Sequence, residues 1–258
     1  MRRLCLLLCI CAPGVLVLAG AALGGNAHEA RSSNGASTLH AASLVDRGEQ
    51  LYLVSCSSCH GVDGRGTSQG PGLRGVGAAA ADFQLTTGRM PLADPNGQPV
   101  RKPPAFRPGQ IDALVAYVAS LGPGPPIPDV DVRAGDLSAG GTLFRANCAA
   151  CHSATGAGGA LSAGLVAPSL HAATPTQVGE AMRTGPGQMP VFGPATFTAK
   201  QVDSIARYVG YLQHPDDPGG FALGGIGPIT EGMVALLVGI PFLLFVSVRI
   251  EEAHERRR

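Results

Sequence analysis

Apolar residues recur along this chain in two different rhythms. In its middle they return every three or four positions. Ile111, Leu114, Val115 and Val118 stand at i, i+3, i+4 and i+7, and Val202, Ile205, Ala206 and Val209 repeat the spacing. Such spacing gives a helix one apolar stripe to turn toward a core, and it predicts helices over 111–121 and 202–212. Segments 43–55 and 138–147 carry a similar face. Between them run GVDGRGTSQGPGL and SATGAGGALSAGLVAPSL, whose glycines and prolines read as loops. Strand patterns are scarce, so the expected class is all-α.

At both ends the rhythm gives way to unbroken apolar runs. The first extends from Leu4 to about Leu23, behind Arg2 and Arg3 and ahead of small residues ending in Gly25-Asn26-Ala27. Residues 1–27 therefore read as a secretory signal peptide, with an uncleaved signal anchor as the alternative. Cys5, Cys9 and Cys11 fall too early in this run to be a lipidated first residue. The second run, GMVALLVGIPFLLFVSV, carries no charge, and with its upstream residues it predicts a transmembrane helix over 225–248. Pro241 is compatible with such a helix. The tail at 249–258 contains four arginines, which by the positive-inside tendency places it in the cytoplasm. The middle of the chain is then extracytoplasmic and anchored to the cell membrane.

That middle contains one pattern twice. CSSCH at 56–60 and CAACH at 148–152 align at an offset of 92, bringing Gly48 onto Gly140, Leu51 onto Leu143 and Tyr52 onto Phe144. PGL at 71–73 echoes PSL at 168–170, GRMP at 88–91 echoes GQMP at 187–190, and Tyr117 falls opposite Tyr208. Two copies of one small domain result, 44–121 and 138–213. The linker at 122–137 is Pro-rich and reads as extended and fairly stiff.

Composition makes these domains puzzling. The chain has no tryptophan, 5% aromatic residues, 37 glycines and 21 prolines, thin material for two small cores. Net charge is +1, with acidic and basic residues nearly balanced between the apolar ends, which argues against a nucleic-acid partner.

The repeated pentapeptide resolves the puzzle. C-x-x-C-H is the attachment pattern of c-type haem: two cysteines add across the vinyl groups and the histidine binds the iron. Zinc binding, dithiol exchange and a disulfide framework also use paired cysteines. Outside the leader, however, all four cysteines lie in the pentapeptides, each pair followed directly by histidine. Two covalently bound haem c groups are expected, on Cys56 and Cys59 with His60, and on Cys148 and Cys151 with His152. A buried porphyrin supplies the apolar mass the side chains lack.

Between His60 and Leu121 the one remaining histidine or methionine is Met90, the expected sixth ligand. The second copy offers Met189 in the matching loop, Met182 in a helix pattern suited to core packing, and His171 in a loop; repeat logic selects Met189. Histidine–methionine ligation leaves no open position and suits electron transfer. The carbonyls of Pro71 and Pro168 are candidates to accept the histidine N–H, although turn formation alone would also explain those prolines.

With these motifs in order, each copy resembles a class I cytochrome c. The resemblance implies that first and last helices cross, bringing Leu51, Tyr52, Leu143 and Phe144 against Leu114, Tyr117, Ile205 and Tyr208. Leader, two tandem class I cytochrome c domains and a C-terminal anchor together resemble the dihaem cytochrome c subunit of the actinobacterial cytochrome bcc menaquinol:cytochrome c reductase. That family implies a cytochrome b subunit and a Rieske iron–sulfur subunit as partners and a terminal cytochrome c oxidase as acceptor. An anchored dihaem cytochrome serving another dehydrogenase is the nearest alternative. A dihaem cytochrome c peroxidase is a more distant one, disfavoured by the symmetric methionine loops.

Overall fold

Helices are the main regular elements among the described residues, and long loops join them. The computed structural model describes residues 43–216 and 228–256; the expected leader at 1–27 lies outside them. The first half contains α1 (43–55), α2 (Ser57–His60), α3 (Gly77–Thr86) and α4 (Pro108–Ser120). The second contains α5 (Leu137–Asn147), α6 (Ala149–His152), α7 (Pro175–Thr184) and α8 (Ala199–Gln213). A two-residue hairpin, β1 (Gly159–Ala160) with β2 (Val166–Ala167), sits in the second half's long loop.

The apolar stripes located α4 and α8, and both helices begin about a turn before their stripe. Those first turns are polar and are fixed by caps. Gln110 Oε1 accepts from the Arg107 amide at 3.0 Å, and Thr198 Oγ1 accepts from the Gln201 amide at 3.3 Å. Asp136 caps α5 in the same way, accepting from the Ala139 amide at 2.7 Å.

Each half is organised around a close crossing of its first and last helices. A methyl group on Gly48 would strike the Ala113 carbonyl, and one on Gly140 the Ser204 carbonyl. Side-chain-free positions let the backbones touch, and the rings one turn later then meet. Tyr52 and Tyr117 have centroids 5.0 Å apart, and Phe144 and Tyr208 5.4 Å, within the range where tilted aromatic pairs attract. Tyr52 and Phe144 are both 0% exposed. Leu51, Leu114, Leu143 and Ile205 join them in the two core clusters, as the resemblance implied.

The Pro-rich linker is bonded to both halves. The Pro125 carbonyl accepts from the Ala79 amide at 3.1 Å. Pro128 and Val130 lie against Gly179 on α7. The Asp131 amide donates to Asp203 on α8 at 3.1 Å, and Arg207 donates to the Gly135 carbonyl at 2.8 Å. The halves also touch directly, α3 against α7. Gln98 makes two hydrogen bonds to the Val166 backbone, at 2.7 and 3.0 Å, and Arg101 donates to Gln177 at 2.6 Å.

The C-terminal element runs as α9 (Pro228–Val234), one wider π turn (Ala235–Gly239) and α10 (Ile240–Glu255). A proline lacks an amide hydrogen and crowds the preceding turn, and the wide turn just before Pro241 absorbs that mismatch. From Thr230 to Glu255 the helix is 26 residues long, about 39 Å at 1.5 Å per residue, against a hydrocarbon core of about 30 Å. Its apolar side chains from Met233 to Ile250 are exposed. Among the described residues it is the one helix long and apolar enough to cross a membrane.

Two substitutions test the crossing. Gly140→Ala should destabilise the second half by about 1–3 kcal/mol through overpacking. Gly210→Ala, in the same pair of helices but with open space around it, should be neutral or gain up to about 1 kcal/mol. Thermal melts of the haem-loaded protein should separate the two; equal melting temperatures would refute the packing argument.

Candidate functional site

Both pentapeptides straddle a junction between helices. Cys56 lies between α1 and α2, and Cys148 between α5 and α6. The amides of Cys59 and His60 donate to the Cys56 carbonyl at 3.2 and 2.9 Å; those of Cys151 and His152 donate to the Cys148 carbonyl at 3.1 and 2.9 Å. Positions i, i+3 and i+4 of one helical turn share a face, so two sulfurs and an imidazole stand together.

The chain then reverses sharply, at Gly61 with φ +79° and at Ser153 with φ +64°. For a serine this conformation costs about 1–3 kcal/mol. Ser153 Oγ accepts from the Ala157 amide at 3.1 Å, offsetting part of it. In the first half the Tyr52 hydroxyl donates to the Gly61 carbonyl at 2.6 Å. Burial, followed by the neighbouring Cys56, pushes that phenol up to about 12, so it remains a donor at ordinary pH.

The reversal carries the chain to the prolines. His60 Nδ1 lies 2.7 Å from the Pro71 carbonyl, and His152 Nδ1 lies 2.9 Å from the Pro168 carbonyl. A carbonyl can only accept, so in both rings Nδ1 bears the proton and Nε2 keeps a lone pair. Burial lowers the pKa of His152, opposed by the Pro168 carbonyl; the neutral, ligating form is favoured. The Cys56 and Cys148 thiols are each pushed up to about 11, by burial and then by the second cysteine of the pair. An exchange-active dithiol needs the opposite shift.

Met90 packs, half-buried, against the same core cluster as Cys56 and Leu73. Met189 does so with Cys148 and Leu170 in the second half. Sequence-predicted thiol, P-x-L leucine and methionine are thereby gathered around one cluster in each domain. Their loops are held by backbone bonds: the Met90 amide donates to the Gln84 carbonyl at 3.1 Å, and Lys102 donates to the Pro91 carbonyl at 2.6 Å. In the second half, Arg183 donates to the Phe192 and Phe197 carbonyls at 2.8 and 2.9 Å. Met182 is 2% exposed, a core residue. His171 lies in a surface loop with Nε2 2.9 Å from the Thr155 carbonyl.

Does this cradle suit a haem? Around the first buried cluster sits a rim of apolar side chains only half covered, among them Leu51, Leu73, Val76, Met90 and Phe106. A flat apolar macrocycle would finish covering them. Arg89, 7% exposed, lies over the Phe83 ring at 4.7 Å, and its Nη1 has no hydrogen-bond partner. A buried guanidinium without a partner fits a ligand bearing carboxylates. The residues present fit the group. Arg89 was not among the residues picked from sequence, although GRMP places it beside Met90.

Comparison with known proteins identifies the family. The cytochrome c family model matches residues 45–122, and the model for subunit III of cbb3-type cytochrome c oxidase matches 135–209. The cytochrome bc1 complex cytochrome c subunit of Mycobacterium leprae is 45% identical over 206 residues, covering 76% of this chain and 71% of that protein. Its counterpart from Corynebacterium efficiens is 38% identical over 225 residues, covering 80% and 76%. Among solved structures, reduced recombinant cytochrome c4 from Pseudomonas stutzeri shares 22% identity at a TM-score of 0.24, covering 64% of this chain and 96% of that one. Two cytochrome c domains imply two covalently bound haem c groups. By residue identity and by coverage, the chain belongs to the family of cytochrome c subunits of cytochrome bc1 complexes.

Proposed function

We propose that this chain is the membrane-anchored electron carrier of a quinol–cytochrome c reductase, receiving electrons from a Rieske iron–sulfur subunit beside a cytochrome b subunit and delivering them to a terminal cytochrome c oxidase. The observation that carries the reading is the paired histidine geometry, in which a proline carbonyl fixes each ring and leaves Nε2 free in both domains. The relatives, cytochrome c subunits of cytochrome bc1 complexes, support the choice of complex.

In this reading Cys56, Cys59, Cys148 and Cys151 hold the two haems by thioethers. His60 with Met90, and His152 with Met189, would ligate the irons. When bound, each haem supplies a one-electron ferric–ferrous couple. The protein's part is to orient and enclose. Pro71 and Pro168 orient the imidazole rings, and the fastened methionine loops would shield the bound group from water and small ligands. Residues 1–27 serve as leader, 44–121 and 138–213 as carriers, and 225–248 as an anchor with the 249–258 tail in the cytoplasm. Anchoring keeps both carriers at high effective concentration near membrane partners.

Met90→Ala and Met189→Ala should each remove one methionine–iron charge-transfer absorption while two haems per chain remain, and the double variant should lose both. Persistence of the absorption in the double variant would overturn the axial assignment. Purification of the full chain from membranes in mild detergent should bring down a cytochrome b and an iron–sulfur protein alongside a haem-staining band. Recovery with a dehydrogenase instead would refute the partner assignment.

A further inference from the structure

The contact between the two domains contains a group that the electron-carrier reading does not use. Glu180 of α7 is 0% exposed, and neither of its carboxyl oxygens meets an N–H or O–H donor. The side chain within hydrogen-bonding reach is the Asp82 carboxyl of α3, in the other domain. Helix geometry accounts for the meeting. Gln177 Nε2 donates to Thr86 Oγ1 at 3.4 Å across the same seam. Asp82 stands one turn before Thr86 on α3, and Glu180 three residues after Gln177 on α7, so both carboxyls lie on the touching faces.

A fully buried carboxylate cannot stand against a second, half-buried one without a donor between them. We propose that Asp82 and Glu180 hold one proton in common across the domain contact, and that this proton fastens the two domains to each other. The balance is simple: one carboxylic acid donates to one carboxylate, and release of the proton to solvent leaves two facing anions.

No cation donates to the Glu180 carboxyl oxygens. Arg101 donates to Gln177, Arg89 lies over Phe83, and Arg183 of α7 donates to the Phe192 and Phe197 carbonyls. On α8, Asp203 accepts from the Asp131 amide, Lys200 is exposed, and Arg207 donates to the Gly135 carbonyl. Burial and then Asp82 raise the Glu180 pKa from the usual 4.5 to about 9. In that window the folded pair binds more protons than the unfolded chain. Stability from the pair is thus complete at acid pH and is lost as pH rises from about 4.5 toward about 9. If the domains are consecutive carriers, as proposed above, the same proton also governs how firmly their separation is set.

The test uses the full haem-loaded chain in detergent. Infrared difference spectra should show a protonated-carboxyl band at neutral pH that disappears on alkalinisation and is absent in Glu180→Gln and Asp82→Asn. In urea titrations the folding equilibrium constant should fall by up to about tenfold for each pH unit of rise across the window, and Glu180→Gln should flatten that slope. If Glu180→Gln fails to fold, the band and slope of Asp82→Asn decide. A band unchanged in the folded variants, or a wild-type slope no steeper than theirs, overturns the proposal. Neither readout depends on electron partners, so failure here leaves the carrier reading intact.

Discussion

Everything in each haem domain hangs from the near-contact of two helix backbones. Where Gly48 meets the Ala113 carbonyl and Gly140 the Ser204 carbonyl, a Cβ would hold the helices apart. Close approach seats Tyr52 beneath Tyr117 and Phe144 beneath Tyr208. Tyr52, once buried, reaches the Gly61 carbonyl and so fixes the reversal after the haem pentapeptide. That reversal delivers the Pro71 carbonyl to His60. A glycine in one helix thus determines, through a few rigid contacts, which imidazole nitrogen keeps its lone pair.

The other organising constraint is scarcity. With so few aromatic side chains, neither domain closes a core from its own residues. The rim from Leu51 to Phe106 is left half covered, and a buried guanidinium is left without a partner. Both features make sense as the protein's half of a shared interior, the other half being the porphyrin.

Local pattern revealed whatever depends on local pattern. Helices α4 and α8 were legible because one stripe faces one core, and the residues proposed to hold haem stood out because haem attachment demands fixed spacing. Met90 followed by elimination, and Met189 by alignment with it. Helix α3 left no such trace. Its alanine-rich GAAAADFQLT packs against both α4 and α7, so apolar positions surround it and no period stands out. Glu180 was hidden for a different reason. In PTQVGEAMRT it reads as one more polar helix residue, and the carboxyl it meets lies 98 residues earlier. Its environment is a property of domain pairing, which no single-helix pattern encodes.

The bound linker has one more consequence. A protease that separates tandem domains must draw several residues into an extended, unpaired strand. Proline and glycine content would mark 122–136 as the obvious place to cut. Yet Pro125, Asp131 and Gly135 all have backbone groups bonded to the domains on either side. The segment behaves as a splint rather than a hinge, and digestion of the native chain should spare it.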